Sequence, residues 1–133
     1  MIGQNKRKIL IVDDEITVCK SIRQALMIDE YEVDMALSGE EALKKEDERK
    51  YDVIIADIMM PGLSGLDLLL ALKGKSSGAK VIMVTGYPTR KTAVQSMHIG
   101  AFNYLPKPFL PAELRSLVAK ALLAADQEAR EGK

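Results

Sequence analysis

Five short apolar or β-rich runs recur along this chain, and each is followed by a stretch with helical spacing. That alternation leaves few folds open. Residues 9–12 (ILIV), 53–56 (VIIA) and 80–84 (KVIMV) are continuous enough to be strands buried on both faces. Residues 31–36 and 101–105 read as two further strands, β-rich but less regular. Between them, Val18, Ile22, Ala25 and Leu26 recur at helical spacing over 15–28. Ser38, with Glu41 three residues on, has a capping-box pattern that opens a helix to about 49. Residues 66–72 continue as an apolar helix closed by Gly74 and Gly78, and a more polar helix over 89–99 ends at Gly100. A fifth helix over 111–123 begins on Pro111. Strand and helix in strict alternation predict one α/β domain, a (βα)5 doubly wound parallel sheet with right-handed crossovers and helices on both faces.

In such a sheet every strand opens its C-terminal end on the same rim, where ligands of open α/β folds bind. Asp13 and Asp14 follow the first strand, Asp57 the third, Thr85 the fourth and Lys107 the fifth. Topology alone predicts that these polar groups converge. The bulk composition adds exclusions. The chain has 133 residues, 47% apolar and 29% charged, with zero formal net charge, which suits one ordinary globular domain and gives no footprint for nucleic acid or an anionic membrane. No run is long enough to cross a membrane, and MIGQNKR lacks the apolar core of a signal peptide. A single cysteine, Cys19, suits a reducing compartment and reads as a small buried hydrophobe, so the expected location is cytoplasmic. The domain is expected over residues 8–124. Residues 1–7 form a flexible N-terminus, and 125–133 a polar tail that is either an exposed helix end or the start of a linker.

Three carboxylates on one rim repel, at roughly 4 kcal/mol for an unscreened pair about 4 Å apart at an effective dielectric of 20. Lys107 offers one compensating charge, and a hard divalent cation offers more. Magnesium fits, since it takes one or two carboxylates, waters and a phosphate. His98 stands alone, so nothing suggests zinc. A metal, a lysine and the Thr85 hydroxyl suit a phosphoryl group, with Asp57 able to attack phosphorus and Gly86 leaving room for close approach of its backbone N–H. Each residue also has a plainer role. Asp14 is a natural helix cap, Pro61-Gly62 a turn, Thr85 part of the turn before Pro88, and Lys107 a loop residue with a solvated amine. Three other functions remain to be weighed. A phosphohydrolase with an aspartate nucleophile often has a second aspartate two residues on, where this chain has Met59. A binding module for an anionic cofactor fits poorly beside three acidic groups without a Gly-rich loop after the first strand. An interaction-only domain would lack the nucleophile or the lysine.

Asp13-Asp14, the segment DIMMPGLSG from Asp57, Thr85-Gly86 and Lys107-Pro108-Phe109 together resemble the signature of response-regulator receiver domains, the chemotaxis-regulator-like proteins of two-component signalling. The resemblance runs from about residue 8 to 123. It implies a flavodoxin-like sheet in the order 2-1-3-4-5. It implies that Asp57 accepts a phosphoryl group from a phosphohistidine on a histidine kinase or phosphotransfer protein. Asp14 and Asp57 would ligate Mg²⁺ directly, the Met59 carbonyl would complete the protein's share, and Asp13 would act through a water. Lys107 and Thr85 would contact the phosphate. Thr85 and Tyr104 would form the switch that alters the face made by helix four, strand five and helix five, and the Lys107-Pro108 bond would be cis.

Met59 has no group to orient an attacking water, and Tyr87 can shield the acyl phosphate, so self-dephosphorylation is expected to be slow. A phosphorylation-dependent switch of this kind is not an enzyme acting on a separate substrate. Its partners would be the kinase, an output domain or downstream protein, and a second copy through the switch face, on which Arg90, Lys91, Gln95 and Arg115 are candidates. Direct binding to nucleic acid or membrane is not expected. A free-standing regulator and the receiver portion of a longer protein fit these residues equally.

Overall fold

The computed structural model describes residues 6–131. Five strands alternate with five helices: β1 (Lys8–Val12), α1 (Ile16–Ala25), β2 (Glu32–Ala36), α2 (Gly39–Glu48), β3 (Val53–Asp57), α3 (Gly65–Gly74), β4 (Lys80–Thr85), α4 (Arg90–Ile99), β5 (Asn103–Pro106) and α5 (Pro111–Glu131). The strands form one parallel sheet in the order β2-β1-β3-β4-β5, as the resemblance implied.

Side chains alternate across the pleat, so each strand feeds two cores. Ile9, Ile11, Val53, Ile55, Ile82 and Val84 pack with Cys19, Ile22, Leu114 and Val118 of α1 and α5. Leu10, Val12, Ile54, Ala56, Val81 and Met83 pack on the other face with Ala42, Leu68, Leu69 and Leu72 of α2 and α3. Burial on both faces explains why the central strands read as unbroken apolar runs. Cys19 is wholly buried, and burial pushes its thiol up to about 11, so it is an inert core residue.

Several boundaries differ from the sequence reading. α1 stops at Ala25, and Met27 and Ile28, which continued the apolar pattern, lie exposed in the following turn. In α2 the Ser38 hydroxyl accepts from Glu41 N–H at 3.0 Å, but the Glu41 carboxylate accepts from Leu37 N–H rather than from Ser38. α3 runs two residues beyond 72 and is followed by Ser76 in a left-handed conformation, so neither glycine supplies the reversal. β5 starts two residues late because Ala101 N–H still bonds back to Ser96 O at the end of α4.

Of the two readings of the polar tail, the helix end is the one found: α5 continues past 123 to Glu131. Arg7 donates to both Asp126 carboxylate oxygens, at 3.0 and 3.3 Å, and lies 3.6 Å from Asp52. Lys80 pairs with Glu128 at 2.6 Å. Residues 125–131 are therefore helix docked on the N-terminal rim of the sheet, and Arg7 is fixed there with them. Residues 1–5 of the expected flexible N-terminus and 132–133 of the polar tail lie outside the described residues. No helix among the described residues is long and apolar enough to cross a membrane.

Candidate functional site

The C-terminal rim is built by continuing the strand ladders past their last residues. Asp13 N–H bonds Ala36 O at 3.1 Å, Ile58 N–H bonds Val84 O at 3.0 Å, and Lys107 N–H bonds Thr85 O at 2.8 Å. Each bond fixes the backbone at or next to a polar rim residue relative to its neighbouring strand. Asp13, Asp14 and Asp57 come together, with one carboxylate oxygen from each lying within 4.8 Å of the others. Asp13 and Asp57 are buried and Asp14 is exposed. Lys107 Nζ reaches between them, 3.1 Å from Asp13 Oδ2 and 3.7 Å from Asp57 Oδ2. The Lys107–Pro108 peptide bond is cis.

Backbone amides hold two of the carboxylates in place. Asp13 Oδ1 accepts from Glu15 N–H at 2.9 Å, and Asp57 Oδ1 accepts from Met59 N–H at 3.2 Å. Burial raises the pKa of Asp57, and the neighbouring Asp13 raises it further, while Lys107 and the Met59 amide pull it down. The balance is upward. Negative charge at Asp57 is left incompletely compensated by the protein's own groups, which is the condition a bound cation relieves. Hard carboxylate oxygens with open solvent beside them suit Mg²⁺ or a similar ion. The cluster can hold a metal.

Above Asp57 a cavity of about 420 Å³ is lined by Asp14, Val18, Met59, Gly86, Tyr87 and Lys107, among others. Met59 and Tyr87 are 57% and 75% exposed, so both side chains stand at the mouth. No protein atom occupies the space a Cβ on Gly86 would take, leaving its backbone open to the cavity. Thr85 is buried, and its Oγ1 accepts from Tyr87 N–H at 3.0 Å. Tyr104 sits one strand over, half-buried, with its hydroxyl 2.8 Å from Thr92 Oγ1 at the start of α4. Asp14, Asp57, Gly86 and Lys107 thus line one cavity, Asp13 and Thr85 are buried next to it, and Tyr104 faces α4.

Arg90, Lys91 and Gln95 are exposed on α4. Arg115 belongs elsewhere: its guanidinium donates to Ala25 O at the end of α1, at 3.3 Å, across the sheet from α4. Its place on the expected switch face is corrected accordingly. One requirement escaped the sequence reading. A Cβ on Gly65 would lie 2.2 Å from Asp57 O and 2.7 Å from Ile58 Cα, so glycine lets α3 begin directly against the strand end that carries Asp57. Gly65 N–H also bonds Ile58 O at 2.9 Å. A glycine ahead of a helix signals a turn in sequence, and only the packing shows this second role.

The model for the response regulator receiver domain family matches residues 9–119. The transcriptional regulatory protein ResD of Bacillus subtilis is 38% identical over 119 residues, covering 90% of this chain and 49% of ResD. PhoP of the same organism, an alkaline phosphatase synthesis transcriptional regulatory protein, is 36% identical over 88% of this chain and 48% of its own length. The chain spans about half the length of the curated relatives it matches. Among solved structures, a receiver domain protein from Methanospirillum hungatei superposes with a TM-score of 0.89 at 33% identity, over 93% of this chain and 99% of that one. A receiver domain from Clostridium thermocellum gives 0.85 at 36% identity, over 91% and 98%.

Proposed function

The chain belongs to the response regulator receiver domain family, and from that membership we propose that it is a phosphorylation-dependent switch whose phosphoacceptor is Asp57. The observation that carries this reading is the meeting of Asp13, Asp14 and Asp57 within 4.8 Å, with Lys107 Nζ between two of them. Asp57 Oδ attacks the phosphorus of a phosphohistidine, the P–N bond breaks, and the imidazole leaves with its electron pair. Asp14, Asp57 and the Met59 carbonyl would hold Mg²⁺, with Asp13 acting through a water. The ion would neutralise the rim and stabilise charge on the phosphoryl oxygens. The Lys107 ammonium, the Thr85 hydroxyl and the Gly86 N–H would then contact the phosphoryl group.

Two residues at the mouth set how long the group stays. Met59 offers no polar atom to orient water, and the Tyr87 ring can cover the acyl phosphate. Met59→Asn is expected to shorten the phosphoryl lifetime, and an unchanged lifetime would remove Met59 from this role. Readout passes through Thr85 and Tyr104 to the face formed by α4, β5 and α5. Arg90, Lys91 and Gln95 lie there to meet a second copy, an output domain or a downstream protein. The phosphodonor is a histidine kinase or phosphotransfer protein in the cytoplasm. The balanced charge supports no direct contact with nucleic acid by these residues.

Incubation with Mg²⁺ and a small acyl-phosphate donor, followed by intact-mass measurement, tests the proposal. One added phosphoryl group is expected, and it should disappear in Asp57→Asn and without Mg²⁺. An adduct that persists in Asp57→Asn would overturn the assignment.

A further inference from the structure

The start of α4 is completed by a side chain from another element. Thr89 is its N-cap, with its Oγ1 accepting from Thr92 N–H at 3.0 Å. In the usual reciprocal arrangement a long Glu or Gln at the third helical position reaches back to the N-cap amide. Here that position is Thr92, whose Oγ1 lies a long 3.4 Å from Thr89 N. The Tyr104 hydroxyl adds a second acceptor to this long reciprocal bond. It accepts from Thr89 N–H at 3.3 Å and lies 2.8 Å from Thr92 Oγ1. Thr92 Oγ1 can in turn donate to Thr89 O at 3.2 Å. One consistent assignment has Tyr104 donating to Thr92, Thr92 donating to Thr89 O, and Thr89 N–H shared by both hydroxyls, with Thr89 Oγ1 2.9 Å from Thr92 Oγ1.

The loop between β4 and α4 is therefore held at both ends by hydroxyls. Thr85 Oγ1 takes the Tyr87 N–H at the near end, and Tyr104 takes the Thr89 N–H at the far end. Only residues 86–88 lie between Thr85 and Thr89. A Thr85 hydroxyl that turns to a phosphoryl oxygen gives up the first anchor, and the loop is then tied by the second alone. We propose that Thr92 is a positioning residue for the switch: its hydroxyl holds the Tyr104 ring against α4 and so biases the unphosphorylated chain toward its resting state. The inference rests on the phosphoacceptor reading above and adds to it a residue with no contact to the phosphoryl group. A contact present only in the resting state opposes any ligand that favours the other state, by the free energy of that contact.

The test is a titration of the whole chain with beryllium fluoride, an acyl-phosphate mimic, in the presence of Mg²⁺. Thr92→Val keeps the shape and removes the hydroxyl, and it should bind on the order of fivefold tighter, the scale of one neutral hydrogen bond. Thr92→Ser restores the hydroxyl and should stay within about twofold of wild type. Tyr104→Phe removes the same bonds from the other side and should show the same gain, and Thr92→Val should add nothing in that background. A merely structural role would weaken binding or leave it unchanged, and either result in Thr92→Val overturns the proposal, as does a full effect in the Tyr104→Phe background. If wild type binds no beryllium fluoride, the phosphoacceptor reading fails first. The latch is then read from the Tyr104 ring resonances of the unliganded chain. They should shift in Thr92→Val and not in Thr92→Ser, and unmoved resonances in Thr92→Val overturn it.

Discussion

The two rims of the sheet treat charge in opposite ways. At the N-terminal rim charges are paired or hydrogen-bonded: Arg7 with Asp126 and Asp52, Lys80 with Glu128, and the buried Glu46 with the Tyr51 N–H and the Ser77 hydroxyl. At the C-terminal rim Asp13, Asp14 and Asp57 face the single ammonium of Lys107. Nothing in folding alone favours the second arrangement, because uncompensated carboxylates in a half-buried site cost free energy. The matched rim ties the end of α5 to the sheet, and on the proposed reading the unmatched rim is the one that takes a cation and a phosphoryl group. Stability and function have been separated to opposite ends of the same strands.

The sharpest way to break this contrast is to remove one cation from each rim. Lys107→Ala should slow phosphoryl uptake from an acyl-phosphate donor by about a hundredfold, the scale of losing one group that stabilises transition-state charge. Arg7→Ala should leave the uptake rate unchanged, as followed by intact mass over time. Equal slowing in both would mean that the rims are coupled. Next in size is a contrast between the two ends of α3. Gly65→Ala forces a methyl against Asp57 O and Ile58 Cα, both backbone atoms, and should cost about 2–3 kcal/mol in urea unfolding. Gly74→Ala, with no atom within 4 Å of the new Cβ, should be neutral or stabilise by up to about 1 kcal/mol. Similar values at both sites would show that the rim yields more easily than its geometry indicates.

Which features were legible in the sequence follows the same division. Val53–Asp57 and Lys80–Thr85 announce themselves because strands buried on both faces must be apolar throughout, and a polar residue that ends such a run has to sit on the rim. The places of Asp13, Asp57, Thr85 and Lys107 at the rim were therefore readable from topology. The sequence leaves the extent of α5 open between a helix end and a linker. Residues 124–131 carry a mostly polar pattern, and what holds them is a pairing of Asp126 with Arg7 across 119 positions. Long-range charge pairs leave no local signal. The same is true of Arg115 on Ala25 O and of Tyr104 on Thr92, where a hydroxyl partner becomes visible only once β5 lies beside α4. Met27 and Ile28 misled in the other direction, since apolar residues at helical spacing extend a predicted helix whether or not they are buried.

A smaller effect concerns the cost of the unmatched rim itself. Burial and Asp13 raise the Asp57 pKa above its unfolded value. The folded chain therefore holds this proton more tightly than the unfolded chain does. As pH rises from below the unfolded pKa through the raised folded value, Asp57 takes stability away, the reverse of an ordinary salt-bridged carboxylate. In metal-free buffer near neutral pH, Asp57→Asn should raise the thermal midpoint by on the order of a few degrees. Mg²⁺ should stabilise wild type and have much less effect on Asp57→Asn. Scanning calorimetry with and without the ion checks both. A midpoint that falls in metal-free Asp57→Asn would mean that Lys107 already compensates the cluster.

The smallest expected effect lies at the matched rim and sharpens the contrast most finely. Arg7 grips Asp126 with two nitrogens and lies beside Asp52, so it ties the start of β1 to the far end of α5. All three side chains are about a third to a half exposed, where such pairs contribute little and are screened by salt. Arg7→Ala should cost about 0.5–1 kcal/mol at low ionic strength, and the difference should shrink toward zero near 1 M salt. Amide exchange should quicken over residues 124–131 and stay unchanged at Asp13, Asp57 and Thr85. The helix end is held by this pair and by Lys80 with Glu128 rather than by packing, because Leu122 is its last buried apolar residue. A loss of several kcal/mol, or faster exchange at the carboxylate rim, would show that the N-terminal rim supports the site as well as the fold.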